Sequence, residues 1–324
     1  MPLTDLPLDE LRERRSASPE PADFDDFWAR TLREADEHPP AVSIAPEAEG
    51  PWQTVEIHDV TFAGFGGHPV RAWLTLPARR SGPLPGVVEF VGYGGGRGLP
   101  GERLEWASAG YAHLLMDTRG QGGVWGSGGA TPDPAGAGPS TPGFLTRGVE
   151  RPEDHYYRRV FVDAIRAVRV LQENPLVDAS RVAVHGGSQG GGIALAAAGL
   201  SSGVAAALID VPFLCEFRRG AAISTTDPYA EIARFLRVYP HRVEEVFGTL
   251  SYFDGVSMAA RATAPTLFSV GLMDPVCPPS TVFAAYNAYA ATDRTISVYE
   301  FAEHDGGRFG HRLTQLAWLA KRLS

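Results

Sequence analysis

Ser188 stands in Gly186-Gly187-Ser188-Gln189-Gly190, a segment of the form G-x-S-x-G. That pattern sets a serine hydroxyl on a sharp strand-to-helix turn, exposed and within reach of a base, as acyl transfer through a nucleophile requires. Glycine flanks the serine because larger side chains clash in so tight a turn. A short apolar run, Val182–Val184, leads into it, and a small-residue helical run follows to Ala198. A helix beginning there aims its first N–H groups and positive dipole end at the place where negative charge develops. With 37 glycines in the chain, the five letters alone are a weak signal, and a glycine-rich loop with an unremarkable serine is the competing reading. The strand before and the helix after decide for the nucleophile.

A serine nucleophile needs a base, and the base needs an acid to orient it. In strand–turn–helix hydrolases the chain order is Ser, then Asp or Glu, then His, the last two on loops after later strands. The apolar run Leu267–Val270 ends in Gly271-Leu272-Met273-Asp274-Pro275, and Ile296–Phe301 ends in Ala302-Glu303-His304-Asp305-Gly306. Asp274 and His304 therefore sit just past the carboxyl ends of two strands, where open α/β sheets place their chemistry. Asp210 also follows a strand and is the alternative acid, although strand order and turn residues favour Asp274. His311 falls inside the last helical run, and His185 is expected to pack within the strand before Ser188. Asp305 is expected to face away from the site and cap the last helix.

Negative charge on an acyl oxygen calls for two N–H donors. The residue after the nucleophile supplies one, here Gln189. The second is expected from Gly92-Tyr93-Gly94-Gly95-Gly96, which follows the apolar run Val87–Val91, so Tyr93 is the candidate. Its ring is also placed to wall an acyl pocket.

These loops need a sheet to hold them. Periodicity predicts a helix from Asp23 to Glu37, with Asp23 as its cap, and strands at Gln53–Phe62 and Pro69–Leu76 joined by the Gly64–Gly67 turn. Short apolar strands Val87–Val91 and Ala112–Met116 bracket a helix-like Glu102–Ala109 and have the apolar character of buried parallel strands. Gly122–Pro142 reads as a long surface loop and Tyr156–Glu173 as an amphipathic helix. Strands Ala205–Ile209, Pro265–Val270 and Thr295–Phe301 follow, and a helix at Gly310–Leu323 closes the chain. Alternating strands and helices predict an α/β fold: a mainly parallel sheet covered by helices on both faces. Residues 1–324 read as one domain, with an N-terminal arm and helix over 1–50 and a helical insertion over 212–264 before the acid-bearing strand.

Composition narrows the partners. A net charge of −9 argues against nucleic acid and anionic membranes and suits a small neutral substrate. No segment reaches the roughly 20 apolar residues of a membrane span, and the polar stretch from Met1 to Glu20 does not read as a signal peptide. The two cysteines, Cys215 and Cys277, have no metal-ligand spacing and are expected to be reduced thiols in a cytoplasmic protein. The chemistry calls for no metal and no organic cofactor.

Three motifs together, Arg119-Gly120-Gln121, Gly186-Gly187-Ser188-Gln189-Gly190 and His304-Asp305, resemble those of the acetyl xylan esterase / cephalosporin C deacetylase family, carbohydrate esterase family 7. Gly143–Gly148, Tyr156–Arg159 and Phe217–Arg219 are similar as well, so the resemblance extends from about Pro21 to the last helix. It implies the α/β-hydrolase fold and an esterase that removes acetyl and other small acyl groups from sugars and from cephalosporin C. It also implies Ser188, Asp274 and His304 as catalytic residues, Tyr93 and Gln189 as oxyanion donors, and Pro228 as a wall of a narrow substrate pocket. A homo-oligomer is implied, a hexamer built as a dimer of trimers. Arg119 is implied to tie its loop to the histidine loop. The chain departs from the family in having Glu303 before His304, where glycine is usual, and Asp305 after it, where glutamate is usual; the shorter Asp305 is expected to weaken its contact with Arg119. A serine peptidase of the same fold and a non-catalytic binding protein are the rival readings. The first normally needs a gating domain for which this chain has no room, and the second leaves the ordered Ser, Asp and His without a purpose.

Overall fold

The computed structural model describes residues 5–39, 41–46, 50–135, 138 and 143–323. Along the chain come α1 (Leu8–Glu13), α2 (Phe24–Asp36), β1 (Val42–Pro46), β2 (Val55–Ala63), β3 (Pro69–Pro77) and β4 (Leu84–Phe90). Then follow α3 (Glu105–Ser108), β5 (Ala112–Met116), α4 (Tyr156–Gln172), β6 (Val177–Gly187), α5 (Gln189–Leu200) and β7 (Ala206–Asp210). The segment before the next strand holds α6 (Phe217–Ile223), α7 (Tyr229–Val238), α8 (Val243–Leu250) and α9 (Gly255–Ala259). β8 (Thr266–Gly271), α10 (Pro279–Ala288), β9 (Arg294–Tyr299) and α11 (Arg308–Ala320) complete the chain.

The sheet runs β1-β2-β3-β5-β4-β6-β7-β8-β9. The first three strands and the β3–β5 pair are antiparallel; every pair from β5 to β9 is parallel. The central strands are apolar and fully buried, with Val87, Val88, Val182, Val184, Ala207, Ile209, Phe268 and Val270 at 0% exposure, because helices cover them on both faces. On one face lie α4 and α5. Nearly all of α4 is buried, and the Gly- and Ala-rich α5 is buried from Gln189 to Ala198, which lets its backbone lie close to the sheet. A smaller apolar cluster on the other face joins Trp106, Leu208 and Leu267 to Leu319 of α11.

Several expectations shift. Asp23 precedes α2, but its carboxylate accepts the Tyr252 hydroxyl at 2.6 Å and caps no helical N–H. The helix predicted over Glu102–Ala109 shrinks to α3, since Gly101 takes φ +86° and Arg103 is drawn to Glu89. β1 is an added edge strand, and α1 packs on α10. Of the predicted loop Gly122–Pro142, residues 122–135 carry no regular element, and part of the remainder lies outside the described residues. No described helix is long and apolar enough to cross a membrane.

Candidate active site

β4 and β6 run parallel, with Phe90 level with Gly186. β5 lies on the far side of β4, so the loops after β4 and β6 diverge here, and a crevice opens where the strand order reverses. The Gly92-Tyr93 loop and Ser188 leave the sheet side by side. Ser188 itself has φ 57° and ψ −121°, a left-handed conformation that costs a non-glycine residue roughly 1–3 kcal/mol. Its backbone is held there: the Ser188 N–H donates to Asp210 O at 2.9 Å, and Ser188 O accepts from Gly192 N at 3.1 Å and Phe213 N at 2.9 Å. The flanking glycines are obligatory. A Cβ on Gly186 would fall 2.1 Å from Gly190 O, and one on Gly190 would fall 2.2 Å from Phe90 O.

The three residues singled out by chain order converge. His304 Nε2 lies 2.9 Å from Ser188 Oγ, and His304 Nδ1 lies 2.8 Å from Asp274 Oδ2. Asp274, 3% exposed, turns its other oxygen to the N–H groups of Val276 and Cys277 at 2.8 and 2.9 Å. Those bonds fix the carboxylate so that one oxygen faces the imidazole. The loops after β8 and β9 are themselves joined, Met273 N donating to Ala302 O at 3.0 Å. Asp274, Cys277 and His304 also bring potential metal-ligating atoms within 4.8 Å of one another. Burial pushes the Cys277 thiol well above its ordinary range and keeps it protonated, and the facing Asp274 and His304 atoms are already paired, so the donor set suits a proton relay better than a metal.

A cavity of about 500 Å³ opens over Ser188 and His304, walled by Tyr93, Trp125, Pro228 and Val276. Its polar side is made by Glu89, Arg103, His185, Asp210 and Arg312. Tyr93 is held at both ends: its carbonyl accepts the Trp125 indole N–H at 2.7 Å, and its hydroxyl reaches Glu231 at 2.6 Å. Gln189 is the first residue of α5 and wholly buried, its amide donating to Val91 O at 3.1 Å.

The rivals are occupied elsewhere. Asp210 accepts from Gln315 at 2.8 Å and Ser269 at 3.0 Å, and pairs with His311 Nε2 at 3.0 Å and His185 Nε2 at 3.3 Å. Burial opposes its charge, yet the hydrogen bonds from the two histidines hold its carboxyl far below the usual carboxylate range. Two expectations are corrected. Arg119 ties its loop to α4, not to the histidine loop: Nε and Nη2 bind Asp163 at 2.6 and 2.7 Å, with Asp133 at 3.5 Å. Asp305 lines the cavity and pairs with Arg308 at 2.7 Å, while the N-cap of α11 is Gly307. Sequence reasoning also passed over Glu231, in the first turn of α7, because its partner Tyr93 lies 138 residues away.

The comparisons agree with this geometry. Residues 1–322 match the acetyl xylan esterase (AXE1) family. The structure of an acetyl xylan esterase from Paenibacillus sp. R4 is 40% identical and superposes with a TM-score of 0.92, over 98% of this chain and 100% of that one. Acetyl xylan esterase 1 from Thermoanaerobacterium sp. JW/SL YS485 is 34% identical, with a TM-score of 0.89 over 97% of this chain and 99% of that one. Among curated proteins, the acetyl esterase Axe7A of Xylanibacter ruminicola is 27% identical over 312 residues, which is 94% of this chain and 67% of that protein. A strained serine turn, a strand-end aspartate and histidine, and matches along nearly the whole length converge, and the chain belongs to the acetyl xylan esterase family of α/β-hydrolases.

Proposed function

We propose that this protein is a serine carboxylesterase that removes acetyl and similarly small acyl groups from acetylated sugars, xylo-oligosaccharides and cephalosporin C-like esters. The observation that carries this reading is the continuous hydrogen-bonded line Ser188–His304–Asp274 opening into a cavity beside Tyr93. In the first step His304 Nε2 takes the Ser188 proton as Oγ attacks the ester carbonyl. Asp274 keeps the Nδ1 proton in place and steadies the imidazolium. The backbone N–H groups of Gln189 and Tyr93 are the proposed oxyanion donors, one at the start of α5 and one in the loop after β4. His304 then gives its proton to the departing alcohol, leaving an acyl-serine. Water deprotonated by His304 attacks that ester, and acetate leaves as Ser188 recovers its proton.

The apolar walls, Pro228 among them, support a short acyl group, and the polar side supports a hydroxyl-rich alcohol. Hydrolysis of p-nitrophenyl esters of increasing acyl length tests the reading: turnover is expected to be highest on acetate, and octanoate hydrolysed as fast as acetate would overturn the small-acyl pocket. One domain carrying the 212–264 segment as an insertion, a hexamer of two trimers, and a cytoplasmic location complete the proposal. Two buried, unpaired cysteines support a reducing compartment, and light scattering tests the assembly.

A further inference from the structure

Glu231 is a buried carboxyl, 2% exposed, in the first turn of α7. Its Oε1 accepts the Tyr93 hydroxyl at 2.6 Å. The Tyr93 hydroxyl donates in that bond while its oxygen accepts the Phe144 N–H at 2.7 Å. The Tyr93 ring is held edgewise by Phe144 and Phe213, with centroids 5.3 and 6.0 Å away. Its main chain is pinned by Trp125 on the carbonyl and, one residue on, by Gln121 Oε1 accepting Gly94 N–H at 2.8 Å. Glu231 Oε2 is buried with no hydrogen-bond partner among the described residues. The carboxyl is packed so closely that a Cβ on Gly143 would fall 2.0 Å from either oxygen.

Stability does not account for this group. Burying a carboxyl is costly even with the Tyr93 hydroxyl and the Leu145 backbone beside it, and an apolar side chain would fill the space more cheaply. The nearby Arg234 is spent on Asp227 at 2.7 Å. Burial pushes the Glu231 carboxyl up to about 7, against the Tyr93 hydroxyl and the Leu145 backbone that hold it down. Strongly perturbed acids of this kind gather at functional sites.

We propose that Glu231 is a positioning residue for the acyl oxygen: gripping the Tyr93 hydroxyl, it fixes the Tyr93 main chain so that its N–H meets the developing oxyanion. The inference rests on the reading of this protein as a serine esterase with Tyr93 as a donor. An oxyanion donor works only within about 2.7–3.1 Å of the charge, and Glu231 restrains the far end of the side chain that carries it. Through the Tyr93 hydroxyl the residue also links the insertion to the catalytic loop, and within the insertion its N–H donates to the carbonyl of Pro228 on the cavity wall at 3.2 Å. Glu231 touches no reacting atom, so its loss acts on transition-state stabilisation and not on substrate binding.

The test is steady-state hydrolysis of p-nitrophenyl acetate by wild type, E231Q, E231L, Y93F and the E231L/Y93F double variant, with melting temperatures alongside. E231L and Y93F are each expected to lower kcat by about tenfold to a hundredfold with KM within about threefold, as for an interaction made mainly in the transition state. E231Q, which keeps a carbonyl to accept the tyrosine proton, is expected to stay within about threefold of wild type. The double variant is expected to be no worse than the poorer single one, because both remove the same bond. If E231L fails to fold, Y93F and E231Q carry the test. Unchanged kcat in both Y93F and E231L, a loss confined to KM, or full additivity would overturn the proposal while leaving the esterase reading intact. A wild-type protein that hydrolyses no acetyl ester would remove that reading and the proposal together.

Discussion

Gln121 and Gln189 exchange two amide hydrogen bonds, Nε2 of Gln121 to Oε1 of Gln189 at 2.8 Å and Nε2 of Gln189 to Oε1 of Gln121 at 3.1 Å. The pair sits at the junction of three loops. Gln121 also accepts Gly94 N–H and donates to the Tyr156 hydroxyl at 3.0 Å; Gln189 also binds Val91 O and accepts the Tyr157 hydroxyl at 2.8 Å. The loops after β4 and β5 and the nucleophile turn are thus one hydrogen-bonded unit. Two of the sequence motifs, Arg119-Gly120-Gln121 and the Ser188 turn, contain a glutamine each because the two side chains meet.

Gln121→Ala therefore leaves the Gly94 N–H without its acceptor, at about 1–3 kcal/mol, and takes one partner each from Gln189 and the Tyr156 hydroxyl. We expect a lower melting temperature and at least a tenfold loss of kcat on p-nitrophenyl acetate, because the Gly94 and Val91 loop loosens beside Ser188. A variant with wild-type kcat would show that the pair does not govern the oxyanion side of the site.

Asp274→Asn and Asp210→Asn separate chemistry from stability. The side-chain amide of Asp274→Asn keeps an oxygen for Val276 and Cys277 N–H but no longer imposes the imidazole tautomer, so kcat is expected to fall by about 10⁴ with little change in melting temperature. Asp210→Asn removes a carboxylate that accepts hydrogen bonds from Ser269 and Gln315 and faces His185 and His311, and is expected to cost about 1–3 kcal/mol, as for buried donors that lose an acceptor. The stability loss is expected to exceed the loss in kcat. The reverse pattern, read from urea melts and initial rates, would assign the catalytic acid to Asp210.

How much of this was legible beforehand follows the range of the interactions. Ser188, Asp274 and His304 were readable because each sits at a strand end, and strand ends are local signals. Tyr93 and Gln189, the proposed donors, were picked out by the same logic. Arg119 was misplaced because its partner, Asp163, lies 44 residues away on α4, and nothing in the local sequence marks that pairing. β1 went unseen because it is a five-residue edge strand with every residue exposed, so it has no buried face to set it apart from a loop. Glu231 was hidden for a related reason: a glutamate in a helical first turn looks like ordinary dipole compensation until the fold brings Tyr93 to it.

His155 predicts a specific acid sensitivity. It is fully buried, stacked on Phe253 at 4.6 Å between centroids. Burial pushes its pKa down from 6.5 to about 4, with the Arg159 charge adding to the drop and the Leu145 carbonyl opposing it. The folded state thus holds it neutral where the unfolded chain takes up a proton. Its contribution is present above pH 6.5 and is lost as pH falls towards 4; at roughly 1.4 kcal/mol per pH unit this is about 3 kcal/mol. In urea melts at pH 7 and pH 4.5, His155→Phe is expected to lose less stability between the two than wild type does. Equal losses would mean that His155 does not titrate across that window.

The measurement that bears most directly on the central claim is the initial rate of p-nitrophenyl acetate hydrolysis by Ser188→Ala beside wild type, with circular dichroism confirming that both are folded. The relay from Ser188 through His304 to Asp274 predicts a loss of at least about 10³-fold in kcat. A folded Ser188→Ala protein that hydrolyses the acetate within threefold of the wild-type rate would contradict it.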